Sequence, residues 1–185
     1  MGARRTYVLV DGENIDATLG NSLLGRRPAP EERPRWERVT HFAEQVWGQP
    51  VTGLFFLNAS SGTMPTSFVQ ALLALDYRPV PLSGEADEKV VDIGVQRTLD
   101  ALAGHDEADV LLVSHDADFA SHIARLMGPH RKVGTVGFRE FMSSHLVATG
   151  CAVFDLEDDV AAFTMPLPRV RIIPLADFDP ERFLL

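Results

Sequence analysis

A chain of 185 residues, of which 45% are hydrophobic, is long enough to form one domain with a buried core. Its formal net charge of −9 argues against a broad nonspecific nucleic-acid surface but leaves room for a local basic patch. A single cysteine, Cys151, excludes an intrachain disulfide and a thiolate metal cage. No stretch is apolar enough to cross a bilayer or to serve as a signal peptide, so we expect a cytoplasmic protein with no membrane partner.

Predicted strands and helices alternate along the chain. The first strand, over Thr6–Val10, ends at Asp11, and a short helix then closes at Gly25. An Arg- and Pro-rich loop over 26–34 precedes a second helix with an apolar face between Trp36 and Val46. The later elements are predicted as strands over 51–57, 77–82, 110–113, 132–138 and 152–154, and as helices over 68–75, 88–103, 119–127 and 140–148.

This alternation predicts an α/β fold with a mostly parallel central sheet and helices on both faces. Pro79 and Pro81 each remove a backbone donor, so the third strand should lie at a sheet edge. Ligands of such sheets bind at the carboxyl ends of strands where the strand order reverses. We expect one domain over residues 1–155 and an acidic, proline-punctuated, partly ordered tail over 156–185.

The predicted topology brings four carboxylates together as a candidate metal site. Asp11 follows the first strand, Asp116 and Asp118 follow the fourth, and Asp92 lies beside the apolar stripe of the longest helix. Carboxylates that lie close together repel one another, and a divalent cation relieves that repulsion. Mg²⁺ and Mn²⁺ prefer oxygen ligands, and such ions can activate water for phosphodiester cleavage. We therefore predict that these acids bind one or two Mg²⁺ or Mn²⁺ ions.

Each acid also has an ordinary structural alternative. Asp118 could cap the helix that opens at Phe119, Asp11 could form the turn before Gly12, and Asp92 could pair with Lys89. Asp116 has no evident capping role and could be a plain loop acid. The metal site is favoured because both strand ends would otherwise carry acids by coincidence.

Several neighbouring residues are candidates for supporting roles. Asn14 could hold Asp11 or a water, and Ser114 could orient a ligand or satisfy the strand end. Arg26 and Arg27 begin an arginine-rich segment that could bind phosphates, or could form a solvated loop with its glutamates. His115 and His122 lie near the acids in sequence, although an exposed structural histidine is the ordinary interpretation for each.

Three motifs at these positions resemble the NYN domain family, a branch of the PIN-like metal-dependent nucleases. They are VDGENID at Val10–Asp16, EKVVDIGVQRTLDAL at Glu88–Leu102 and LLVSHDADFASHI at Leu111–Ile123. The resemblance covers about residues 7–155 and implies a PIN-like three-layer fold with strand order 3-2-1-4-5. It also implies an Mg²⁺ or Mn²⁺ pocket that cleaves RNA, with catalytic and metal-binding roles for the four aspartates and a neighbouring role for Asn14. One departure is His115, which stands where a glycine is usual.

The most specific function that these observations support is a metal-dependent ribonuclease acting on single-stranded RNA. An alternative is a non-catalytic RNA- or protein-binding regulatory module on the same fold, because the chain is acidic, its tail is proline-rich and the family includes members with no demonstrated catalysis. A third is a metal-dependent hydrolase of a small phosphate substrate. The resemblance further implies pairing into a homodimer, since PIN-like domains often pair.

Overall fold

The structure is a computed structural model that describes residues 2–184. The centre of this part of the chain is a parallel sheet of six strands in the order β3-β2-β1-β4-β5-β6. The strands are β1 (Arg5–Asp11), β2 (Val51–Asn58), β3 (Tyr77–Leu82), β4 (Ala108–Val113), β5 (Val133–Gly137) and β6 (Ala152–Asp155). The α/β fold and the edge position of β3 are confirmed. The expected order of five strands is extended by β6, which pairs with β5 at the far edge.

Within the described residues, six α-helices surround the sheet: α1 (Gly12–Ala17), α2 (Trp36–Trp47), α3 (Thr66–Ala74), α4 (Val90–Leu102), α5 (Ala120–Leu126) and α6 (Ser144–Ala148). The first continues as a wider π-helical turn over Thr18–Leu24 and ends at Gly25, whose φ of 67° suits glycine. The single helix predicted over 140–148 is instead divided into a short 3₁₀ turn and α6. The division occurs because the Ser143 hydroxyl accepts the His145 N–H and starts a new helix there.

Both faces of the sheet are buried, as expected for a parallel sheet. Alternate residues of β1 and β4 point to opposite sides: Leu9 and Leu112 pack with α4 and α5, whereas Val10 and Val113 pack with α1 and α2. The prediction of helices on both faces is therefore confirmed. No helix in residues 2–184 has the length and apolar character needed to span a membrane.

The strand order reverses between β1 and β4, which lie side by side with Val10 opposite Val113. From this point the chain builds outward through β2 and β3 on one side, and through β5 and β6 on the other. The predicted adjacency of the first and fourth strands is therefore confirmed. Consequently, the chain segments that leave β1 and β4 emerge together at the carboxyl edge of the sheet.

The segment after β6 contributes to the core before it becomes exposed. Leu156, Val160 and Ala162 are buried, and the Arg35 N–H donates to the Ala162 carbonyl at 2.7 Å. Further on, Arg169 is largely buried, pairs with Glu140 and Glu157, and lies over the Phe138 ring.

Candidate metal centre

Three of the predicted acids converge at the switch point. One carboxylate oxygen from each of Asp92, Asp116 and Asp118 lies within 4.8 Å of the other two. The loop after β4 supplies Asp116 and Asp118, and the first turn of α4 supplies Asp92. Asp116 and Asp118 are also close in sequence, but Asp92 comes from a different element and joins them only in the folded chain. Oxygen atoms at this spacing can share one cation as ligands.

The fourth acid, Asp11, lies outside this group of three but lines one cavity together with Asp92 and Asp116, whereas Asp118 does not line that cavity. It is buried at the end of β1, with 2% of its surface exposed. Its Oδ2 accepts the Ser114 hydroxyl at 3.0 Å, and its Oδ1 accepts the Asn14 N–H at 3.4 Å. The Ser114 oxygen also accepts the Asp116 N–H at 3.2 Å. Ser114 therefore connects two of the candidate acids.

The electrostatic state of Asp11 differs from that of a second buried aspartate on the same sheet. Burial and, to a smaller extent, the negative charge of Asp92 raise the pKa of Asp11 to about 6, although the hydrogen bonds that it accepts act in the opposite direction. Burial also acts to raise the pKa of Asp109, but bonds from Arg4, the Lys132 N–H and Gln49 hold it below its ordinary value. Within residues 2–184, no cationic side chain pairs with Asp11 as Arg4 pairs with Asp109. A buried, uncompensated acid is typical of a functional site.

The pKa of Asp92 is shifted in the same direction as that of Asp11. Burial raises its pKa, and the neighbouring charges of Asp116 and Asp118 raise it further, while Lys89 acts in the opposite direction. Lys89 begins the helix and lines the cavity, but it forms no ion pair within 4 Å of Asp92 in the part of the chain described. The alternative in which Asp92 is simply neutralised by Lys89 is therefore not supported by the geometry.

Asn14 and His115 form a rigid support behind the acids. The Asn14 side-chain oxygen accepts the His115 backbone N–H at 2.8 Å and lies 2.9 Å from its Nδ1. The Nε2 atom of His115 accepts the Phe138 N–H at 2.7 Å, so its proton must lie on Nδ1, which donates to Asn14. Burial lowers the pKa of His115 to about 4, which favours this neutral form. The imidazole therefore holds Asn14 and does not line the acidic cavity.

The acidic cavity has a volume of about 330 Å³ and includes residues that the sequence interpretation missed. They are Glu13, Asn58 and Glu88, and Lys89, which was considered only as a partner of Asp92, also lines the cavity. Burial and the charge of Asp92 raise the pKa of Glu13, so this side chain belongs to the same electrostatic cluster. Its position directly after the Asp11–Gly12 strand end was the signal that could have identified it.

The local roles of the acids are partly those of helix caps. Asp11 caps α1, which agrees with the alternative in which it forms the turn before Gly12. It is Asp116, rather than Asp118, that caps the following 3₁₀ turn, because its Oδ1 accepts the Asp118 N–H at 2.9 Å. A carboxylate has two oxygens and several lone pairs, so one such bond leaves it able to bind a cation.

The predicted arginines and the second histidine lie elsewhere. Arg26 forms two bonds of 2.6 Å with Glu32, and neither it nor Arg27 lines the acidic cavity. His122 is bonded to Asp100 at 2.8 Å, and Arg125 joins the same carboxylate. The structure therefore brings together the acids, Asn14 and Ser114, but not these basic residues.

Comparisons with known proteins show the family to which the chain belongs. No curated protein matches the chain. The structure resembles that of a protein of unknown function from Vibrio parahaemolyticus, with a TM-score of 0.64 and 21% sequence identity, over 85% of this chain and 95% of that one. At that identity the likeness shows the fold alone. The sequence model of the NYN domain family matches residues 5–156, which is most of the chain. The protein therefore belongs to the NYN domain family, with its PIN-like nuclease fold.

Proposed function

We propose that this protein is a metal-dependent ribonuclease that hydrolyses phosphodiester bonds in single-stranded RNA. The observation that carries the proposal is the convergence of Asp92, Asp116 and Asp118 within 4.8 Å, beside the buried Asp11 of a NYN domain. The four carboxylates come from the ends of two neighbouring strands and from one helix. The ordinary roles of helix caps do not account for a group assembled in this way.

The residues present fit a hard divalent cation such as Mg²⁺ or Mn²⁺. All the candidate ligand atoms are carboxylate oxygens. Burial, and then the charges of neighbouring carboxylates, raise the pKa values of Asp11 and Asp92, and a bound cation would offset both effects. Asp92, Asp116 and Asp118 would hold the ion, and Asp11 would complete its surroundings. When bound, such an ion supplies an activated water and stabilises the oxygen that leaves phosphorus.

The remaining side chains would keep the acids in place. Ser114 donates to Asp11 and accepts from the Asp116 N–H, so it fixes the distance between two strand ends. Asn14, held by His115, fixes the first turn of α1 beneath Asp11. In the arginine-rich segment, Arg26 is engaged by Glu32, so a phosphate contact from that segment would fall to the exposed Arg27 or Arg35.

The test is cleavage of labelled single-stranded RNA by the purified protein with Mn²⁺ or with chelator. We expect cleavage only with the metal, and we expect Asp116→Asn to reduce the rate by at least about a hundredfold. The matched control is Asp106→Asn, an identical change at an exposed loop position before β4, which should cut at the wild-type rate. Undiminished cutting by Asp116→Asn would refute the proposal.

A protein-binding regulatory module is the second candidate, and one observation favours it. The C-terminal segment exposes large apolar side chains, with Val170 at 102% and Ile172 at 99% of full exposure. Such side chains are typical of a surface that binds another protein. This candidate predicts that the protein cuts no RNA and that its cellular effect survives Asp116→Asn.

A further inference from the structure

A second cavity lies next to the acidic one and has a different chemistry. Its volume is about 220 Å³, and its lining is largely apolar and includes the aromatic side chains of Trp36, Phe55 and Phe68. The Trp36 and Phe68 rings each meet the Phe55 ring edge to face, with centroids 5.1 and 5.2 Å away. Phe55 is almost fully buried, whereas Trp36 and Phe68 are partly exposed and accessible to a ligand.

Two of the three charged residues of this aromatic cleft neutralise each other. Arg33 donates to both oxygens of Asp16, at 2.9 and 3.4 Å, and the two side chains remain about one-third and two-fifths exposed. An arginine engaged in this way has little capacity to hold a phosphate. The pair still offers hydrogen-bond donors and acceptors at the edge of an apolar cleft, which is the combination that binds neutral planar groups.

The two cavities share a wall. Glu13 lines both, because it lies in the first turn of α1 with the acidic cavity on one side and the aromatic cleft on the other. A nucleic-acid strand with a phosphate at the carboxylates would have its neighbouring base at the cleft. Proteins that bind single strands without strong sequence preference use aromatic side chains in this way.

We propose that the aromatic cleft binds a nucleobase of the RNA strand adjacent to the phosphate that is cleaved, with Trp36 and Phe68 as the stacking side chains. The proposal rests on the ribonuclease function proposed above and extends it by locating the base-binding site. The small volume suits a single base, since cavities for drug-sized ligands are about 300–1,000 Å³.

The test uses the fluorescence of Trp36. The chain has two tryptophans, so Trp47→Phe leaves Trp36 as the sole emitter, and Asp116→Asn prevents cleavage. Hexauridylate and an abasic hexamer with the same phosphates are titrated at a Mg²⁺ concentration that saturates the Asp116→Asn variant, because this variant should bind the ion more weakly. Binding is followed independently by fluorescence anisotropy of labelled oligomers. We expect hexauridylate to quench Trp36 saturably and the abasic hexamer to leave its emission unchanged.

A matched pair of substitutions tests the second aromatic. Phe68→Leu should weaken hexauridylate binding about fivefold, since it removes a stacking ring but keeps an apolar side chain. Phe42→Leu is the same change at a partly buried ring that packs on Phe154 outside the cleft, and it should leave the affinity unchanged.

Two results would overturn the proposal and distinguish it from the ribonuclease function. If anisotropy showed that hexauridylate binds without a change in Trp36 emission, or that the abasic hexamer binds with equal affinity, the cleft would be rejected as the base-binding site. The ribonuclease function would still be supported if the wild-type protein cleaved RNA. If neither oligomer bound, the cleft would also be rejected as the base-binding site. The ribonuclease function would be rejected as well only if the wild-type protein cut no RNA.

Discussion

Asp11 is a buried acid without a cationic partner, and at neutral pH this should lower the stability of the metal-free protein. Burial raises its pKa to about 6, so between about pH 4 and pH 6 the folded state keeps a proton that the unfolded state loses. Its contribution to stability therefore falls as the pH rises through this window and does not return above it. Destabilising residues of this kind are common at functional sites.

Replacing this acid should accordingly stabilise the metal-free protein. In chelator at pH 7 we expect Asp11→Asn to raise the melting temperature by roughly 2–5 °C, and the gain should disappear below pH 4, where the wild-type carboxyl is protonated. The control is Asp109→Asn, which should lower the melting temperature at pH 7 because it breaks the contact with Arg4. A lower melting temperature for Asp11→Asn at pH 7 would contradict the interpretation of Asp11.

Sequence patterns identified the acids but not their surroundings. Asp11 could be predicted because it directly follows an apolar run, and Asp116 and Asp118 because they lie shortly after a second apolar run that ends abruptly at Val113. The role of His115 could not, because its orientation depends on Phe138, which lies 23 residues away in the chain. Glu13 was missed for a similar reason, since its proximity to Asp92 arises only in the folded chain.

Among the elements, β1 and α1 are joined at a position where space permits only a glycine. A Cβ atom on Gly12 would lie 2.7 Å from Cζ of Phe55, closer than real contacts allow. The Phe55 ring cannot easily move, because it is 3% exposed and packs against Trp36, Phe68 and Tyr77. This contact sets how closely the helix that follows Asp11 approaches β2.

We therefore expect Gly12→Ala to lower the free energy of unfolding by about 1–3 kcal/mol, as overpacked cores do. The measurement is urea denaturation. Gly104→Ala is the matched control, since its Cβ would meet its nearest atom at an ordinary 3.5 Å, and it should change the stability by less than about 0.5 kcal/mol. Equal stabilities for the two variants would show that the Phe55 ring yields freely.

The order of elements was predictable because each strand and helix carries its own periodic pattern. The adjacency of β1 and β4 followed from chemistry, since two acid-bearing strand ends are useful only together. The division of the helix expected over 140–148 was not predictable from periodicity, because a single hydroxyl, that of Ser143, starts α6 within an otherwise helical pattern.

For the whole molecule, the extent of the domain can be tested by truncation. The boundary expected at residue 155 stays a prediction, but buried side chains follow it at Leu156, Val160 and Ala162. We expect removal of 156–185 to lower the melting temperature by more than about 10 °C, because those side chains leave the core. Removal of 172–185, all of whose described residues are exposed, is the control and should change it by less than about 2 °C. Similar melting temperatures for both truncations would show that the segment after β6 adds little.

The negative charge of the whole molecule fits a metal site better than a broad RNA surface. At −9 the chain repels phosphate over most of its surface, so binding of RNA needs a local source of positive charge. A divalent cation among the carboxylates supplies that charge at the switch point. RNA binding should therefore depend strongly on the metal.

The central claim is that the carboxylates at the switch point bind the cation on which hydrolysis depends. Titration of Mn²⁺ into the wild-type protein, Asp116→Asn and Asp106→Asn by calorimetry tests it most directly. We predict that the wild-type protein and Asp106→Asn bind Mn²⁺ with the same affinity and that Asp116→Asn binds at least about tenfold more weakly, since it loses a charged ligand of the group. Absence of binding to the wild-type protein, or equal affinity in all three, would contradict the account.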